Sequence, residues 1–177
     1  MDFRDIKEFI KDTSKYIIIA LMVLVIMLYI ISLQQVVGPS MFPTLNNNDV
    51  ILIDKISYRF SNPKRNEIIS FQYAETKYLI KRIIGLPGEH ISYKDGILYI
   101  DGDGYTEKSL LSEKTLDFDI KELGFDTIPN DMYLVLGDNR GNSLDSRSKK
   151  VGLINKKDII GKILIKIWPL NQAKIVK

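Results

Sequence analysis

Apolar positions fall into two regimes along this chain. From Tyr16 to Leu33 the run YIIIALMVLVIMLYIISL holds no charge and has no polar face. As a helix rising about 1.5 Å per residue it would reach roughly 27 Å, enough to cross a bilayer. A buried core helix would carry a polar stripe. A cleaved export leader has an apolar core of only about 15 residues and a small-x-small cut site, and the nearest match here, Val36-x-Gly38, would put Pro39 after the cut. The pattern therefore predicts a membrane anchor over 16–33, after a short segment 1–15 and before a domain 34–177.

Beyond the anchor the apolar residues come in short, β-branched runs. DVILIDKIS and EIISFQY flank the turn-rich NPKRN, KYLIKRIIG closes on LPGE, and HISYKDGILYIDG has the form of a hairpin about Asp95-Gly96. MYLVLG and GKILIKIWP add two more strands, and no long helix alternates with them. The expected fold class is mainly β: one N-terminal transmembrane helix followed by an antiparallel sheet or barrel. Residues 102–130, rich in Asp, Glu, Lys and Ser, read as an excursion from that sheet.

Charge gives the orientation. Arg4, Lys7, Lys11 and Lys15 precede the anchor and no basic residue follows it until Lys55. This bias keeps residues 1–15 cytoplasmic and sends the β-domain outside. A net charge of +3 spread over the 177 residues offers no basic face for nucleic acid.

Composition then limits the chemistry. The chain has no cysteine and a single histidine, His90. Thiolate catalysis, cysteine zinc sites, disulfides and paired histidine ligands are excluded, and no metal or cofactor is expected. His90, at a turn beside Glu89, reads as structural. DGDGYTEKSLLSE from Asp101 has Thr106 and Ser112 where a calcium loop needs glycine and glutamate, so it reads as a hairpin exit. The S-x-x-K strings at Ser61 and Ser146 have no accompanying K-T-G and read as coincidence.

Three segments remain: GPSMFPTL from Gly38, YLIKRIIGLPGE from Tyr78, and GDNRGNSLDSR from Gly137. Together, and in this order behind an anchor, they resemble the type I signal peptidase family, a likeness that runs from Val36 to about Pro169. The resemblance implies a catalytic β-domain of that type, with Ser40 as nucleophile and Lys81 as general base. A lysine among apolar strand neighbours can lose its proton near neutrality, whereas adjacent Arg82 cannot. The resemblance further assigns Ser143 to orienting the lysine amine and Asp145 with Arg147 to an ion pair supporting the loop. Val36, Met41, Leu45, Leu79 and Ile80 match positions lining the substrate pockets. Some family members carry an oxyanion-stabilising serine two places before the nucleophile. Here that place is Gly38, whose N–H is then a candidate donor beside that of Ser40.

The implied activity is cleavage of signal peptides from exported preproteins at the outer side of the cell membrane. Its partners would be those signal peptides, membrane lipid and, transiently, the export translocon. Two other classes share some of these features: another Ser/Lys protease of related fold, expected to be soluble, and a non-enzymatic anchored β-domain. The chain departs from the family at NPKRNEI, where Asn66 and Glu67 stand in place of the usual glycine and aspartate.

Overall fold

The computed structural model describes residues 3–75, 77–107 and 113–176. Helix α1 (Phe3–Val25) continues through a π-helical turn, Ile26–Ile30. The stretch Lys11–Ile30 is long and apolar enough to cross a membrane, and none of it is buried within the protein. The helix stops earlier than the apolar run suggests. Residues 31–33, expected in the anchor, belong to strand β1 (Ile31–Gln35), which pairs antiparallel with β2 (Val50–Asp54). No linker separates helix from sheet, and the Lys55 N–H donates to the Ile30 carbonyl at 2.8 Å.

The main sheet also contains β3 (Ile68–Ala74), β4 (Lys77–Gly85), β9 (Met132–Leu136), β10 (Ile154–Asn155) and β11 (Ile159–Trp168). Its order is β1-β2-β11-β3-β4-β9-β10, and the short β12 (Lys174–Ile175) pairs with β11. Every pairing is antiparallel. Between β4 and β9 the chain builds a second sheet of β5 (Ile91–Lys94), β6 (Ile97–Ile100), β7 (Asp103–Tyr105) and β8 (Phe118–Asp119), ordered β7-β6-β5-β8. The expected excursion is thus a small sheet stapled to the hairpin at Asp95-Gly96. Asp101 and Gly102 form the β6–β7 turn, both with positive φ. The second half of the calcium-like string, residues 108–112, lies outside the described residues.

Two features of this topology prepare the site. β1 is an edge strand, paired only with β2. β4 pairs with β3 from Lys77 to Arg82, but with β9 only from Arg82 onward, so its segment 78–81 has one open edge. Val36, Met41, Leu45, Ile51, Ile53, Ile80 and Ile163 close a hydrophobic cluster beneath these edges.

Candidate active site

The loop after β1 turns back on itself to present Ser40. Gly38 has φ +88°, a conformation that suits glycine, and Phe42 N–H closes a turn on the Pro39 carbonyl at 3.0 Å. The loop after β9 holds this turn from the other side: the Asn139 N–H donates to the Ser40 carbonyl at 3.0 Å and its amide nitrogen to the Pro39 carbonyl at 3.2 Å. Gly137 permits the approach. A Cβ there would lie 2.5 Å from the Ser40 carbonyl oxygen and 2.2 Å from Ser143 Oγ.

Lys81 Nζ donates to Ser40 Oγ at 2.7 Å and to the Ile80 carbonyl at 3.0 Å. The lysine is 1% exposed. Burial pulls its amine from 10.5 down to about 8, against the opposing pull of the Asp145 and Asp138 carboxylates. The Ser40 N–H donates to no group among the described residues.

Asp145 lies on the neighbouring loop, paired with Arg147 through both oxygens at 2.9 Å and accepting from the Gly137 N–H at 3.1 Å. Burial alone would raise the Asp145 carboxyl, but Arg147 and Gly137 hold it below its ordinary value. Ser143 is beside the Ser40 backbone, yet its buried hydroxyl makes no hydrogen bond to Lys81 or any other described group. It lies near Asp145 and weakly helps to lower that carboxyl.

Two expectations change. The Gly38 N–H, anticipated as an oxyanion donor, is taken by Asn47 Oδ1 at 2.8 Å. Leu45, anticipated in a substrate pocket, is fully buried in the core cluster and does not reach the cleft, because the turn that exposes Ser40 points Leu45 inward. Val36, Met41, Leu79 and Ile80 do line a cleft of about 70 Å³ beside Ser40, together with Gln34 and Tyr78. His90 is held by the Asp126 carbonyl and Asp119, away from this cleft.

Sequence reasoning missed the support on the opposite face of β4. The Arg82 guanidinium pairs with both oxygens of Asp138 at 2.8 and 2.7 Å, and Thr44 Oγ1 donates to the same carboxylate. Through these contacts and those of Asn139 with the Pro39 and Ser40 carbonyls, Asp138 and Asn139 clamp the serine turn. Ser146, another polar loop residue, is fully buried and exchanges hydrogen bonds with Val135 as a strand partner would. Only the apolar strands around Arg82 hinted that its charge must find a partner.

The structure thus sets a buried amine in hydrogen-bond contact with a serine hydroxyl, on an antiparallel β-domain behind an apolar helix. Residues 6–168 match the family model for signal peptidase, peptidase S26, and the chain belongs to that family. It is 36% identical over 154 residues to signal peptidase I of Bacillus caldolyticus, covering 82% of this chain and 84% of that one. It is 41% identical over 138 residues to signal peptidase I V of Bacillus subtilis strain 168, covering 73% and 81%. A crystal structure of a signal peptidase I from Enterococcus faecalis V583 superposes with a TM-score of 0.52 at 36% identity, covering 58% of this chain and 97% of that one. The protein is a peptidase of the signal peptidase I type, a family that cleaves signal peptides from preproteins.

Proposed function

We propose that Ser40 and Lys81 form the catalytic pair of a membrane-anchored endopeptidase that removes signal peptides on the outer side of the membrane. The observation that carries this reading is the 2.7 Å contact between Lys81 Nζ and Ser40 Oγ, made by an amine whose burial favours its neutral form. Neutral Lys81 takes the Ser40 proton as Oγ attacks the scissile carbonyl. The Ser40 N–H stabilises the oxyanion, and the protonated amine then delivers its proton to the leaving amine. The same lysine activates a water that hydrolyses the acyl-enzyme.

The substrate class follows from the cleft. The open edges of β1 and of segment 78–81 can each pair with an extended chain. A cavity of about 70 Å³ lined by Val36, Met41, Leu79 and Ile80 suits small apolar side chains. Ser40 follows the last helical residue, Ile30, by ten positions, so a cut at Ser40 lies near the surface from which a signal peptide emerges. The lysine and arginine bias supports a cytoplasmic 1–15 segment and an external domain. Transient contact with the export translocon belongs to the same reading.

The test is cleavage of a purified preprotein by the full chain in detergent. Ser40→Ala, Lys81→Ala and Lys81→Arg are each expected to abolish the reaction, and the double variant Ser40→Ala/Lys81→Ala to be no worse than either alone. Cleavage by Lys81→Arg at the wild-type rate would remove lysine from the mechanism.

A further inference from the structure

Where the anchor meets the β-domain there is a second cavity, of about 630 Å³, sharing no residue with the cleft at Ser40. One wall is Leu28 and Tyr29 of the last helical turn, and the others carry Lys55, Arg59, Lys156 and Lys157. Asp131 is the single acidic residue in the lining, so the four cations leave it strongly positive. Lys55 Nζ is engaged with the Leu28 carbonyl and Lys156 Nζ with Asn62 at 2.6 Å. Arg59 and Lys157 form no ion pair among the described residues.

We propose that this cavity binds the phosphate of an anionic phospholipid headgroup in the outer leaflet. The inference rests on the anchored orientation argued above. Leu28 and Tyr29 are 55% and 58% exposed and end the apolar segment, so the cavity opens at the depth where acyl chains give way to headgroups. Phe60, 85% exposed beside Arg59, adds an aromatic residue suited to the same interface. A water-soluble anion would use the cations but gain nothing from these apolar groups. A lipid uses both, since its phosphate meets Arg59 and Lys157 while its chains run along Leu28 and Tyr29. Because β1 follows the helix without a linker, a lipid held here would also fix the tilt of the β-domain, and with it the height of Ser40 above the bilayer.

The experiment is native mass spectrometry of the full chain released from micelles containing phosphatidylglycerol and phosphatidylcholine in equal amounts. Wild type is expected to retain phosphatidylglycerol preferentially. The double variant Arg59→Gln/Lys157→Gln should weaken that retention by about 5-fold per cation, roughly 25-fold together. Lys149→Gln/Lys150→Gln, which removes two exposed lysines outside the cavity, should leave it unchanged. Equal retention of the two lipids by wild type, or no effect of the Arg59/Lys157 variant, overturns the proposal. Displacement of the lipid by inorganic phosphate at matching concentration would make the site one for a soluble anion and overturn the lipid assignment. Vesicle flotation and preprotein cleavage run in parallel separate the readings. A chain that does not float with vesicles refutes the anchor, and a chain that floats and cleaves but retains no phosphatidylglycerol refutes the cavity alone.

Discussion

Lys81 and Arg82 are consecutive on β4 and both buried, yet one meets the Ser40 hydroxyl and the other the Asp138 carboxylate. Strand alternation sends them to opposite faces. Burial lowers the Lys81 amine to about 8, and Arg82 lies in an ion pair with Asp138. The two side chains thus meet one loop from two sides: Lys81 contacts the Ser40 hydroxyl, and Arg82, through Asp138 and Thr44, holds the turn that carries it.

In the proposed mechanism the rate is pH-dependent in a fixed direction. Only the neutral amine can accept the Ser40 proton, and burial brings the Lys81 amine to about 8. Below that pH, kcat/KM should rise roughly tenfold per pH unit, then level off above it. A profile on one preprotein checks this; a flat response on both sides of pH 8, with chemistry rate-limiting, contradicts a titrating lysine.

The same burial costs stability. In the unfolded chain the lysine titrates near 10.5, so below about pH 8 both states hold the proton and the penalty is fully present. Between about 8 and 10.5 the folded lysine is neutral and the penalty fades as pH rises. The fall from 10.5 to about 8 corresponds to roughly 3 kcal/mol. Lys81→Met should therefore be inactive but raise Tm at neutral pH, with the gain shrinking in alkaline buffer. A gain that grows with pH would reverse the sign of this argument.

Asp138→Asn should be far more damaging than its exposed counterparts. Arg82 and Asp138 are 2% and 0% exposed, and removing one partner strands the other charge, at a cost of about 3–5 kcal/mol. Replacing both, as Arg82→Met/Asp138→Leu, should recover much of the stability while leaving cleavage impaired, because the Thr44 contact is gone. Denaturant unfolding of the three variants beside wild type measures the difference.

How far the sequence carries depends on the length of each signal. β4 spans Lys77–Gly85, as its β-branched run implies, and the Asp95-Gly96 turn is where a hairpin needs positive φ. β1 was hidden because Ile31, Ser32 and Leu33 continue the apolar run of the anchor, and only pairing with β2 shows that they are strand. β8, β10 and β12 have two residues each, too few for any periodicity. In the site, Ser40 and Lys81 could be paired through the resemblance, but Asn47 is one of three consecutive asparagines and nothing local marks it as the partner of Gly38. Arg82 and Asp138 are 56 residues apart, and their pairing is a property of the β4–β9 ladder. Leu45 and Met41 are both apolar neighbours of the serine; which one faces the cleft is decided by the turn.

Gly137→Ala tests the closeness of the two loops. Its Cβ would fall 2.5 Å from the Ser40 carbonyl oxygen, a backbone atom that cannot step aside without moving the nucleophile. A displacement of about 1 Å costs on the order of 100-fold in rate, so kcat should fall by that order while folding persists. Gly104→Ala, whose Cβ would meet only the Tyr99 ring at 3.9 Å, is the matched control and should cleave normally.

Position 38 decides how the oxyanion is held. In the proposed mechanism the Ser40 N–H is one donor; the Gly38 N–H is occupied by Asn47 Oδ1 at 2.8 Å, so of these two backbone donors only that of Ser40 is left for the oxyanion. A missing donor costs roughly 100- to 1000-fold in such reactions, which leaves room for an added hydroxyl to raise the rate. Space for it exists, since a Cβ on Gly38 meets nothing within 4 Å. What opposes the change is the φ of +88°, a strain that alanine and serine suffer alike. Comparing the two variants therefore cancels the strain and isolates the hydroxyl: Gly38→Ser should turn over faster than Gly38→Ala on the same preprotein, with equal Tm. If alanine matches or exceeds serine, the hydroxyl does not reach the oxyanion, and the second donor must come from elsewhere in the cleft.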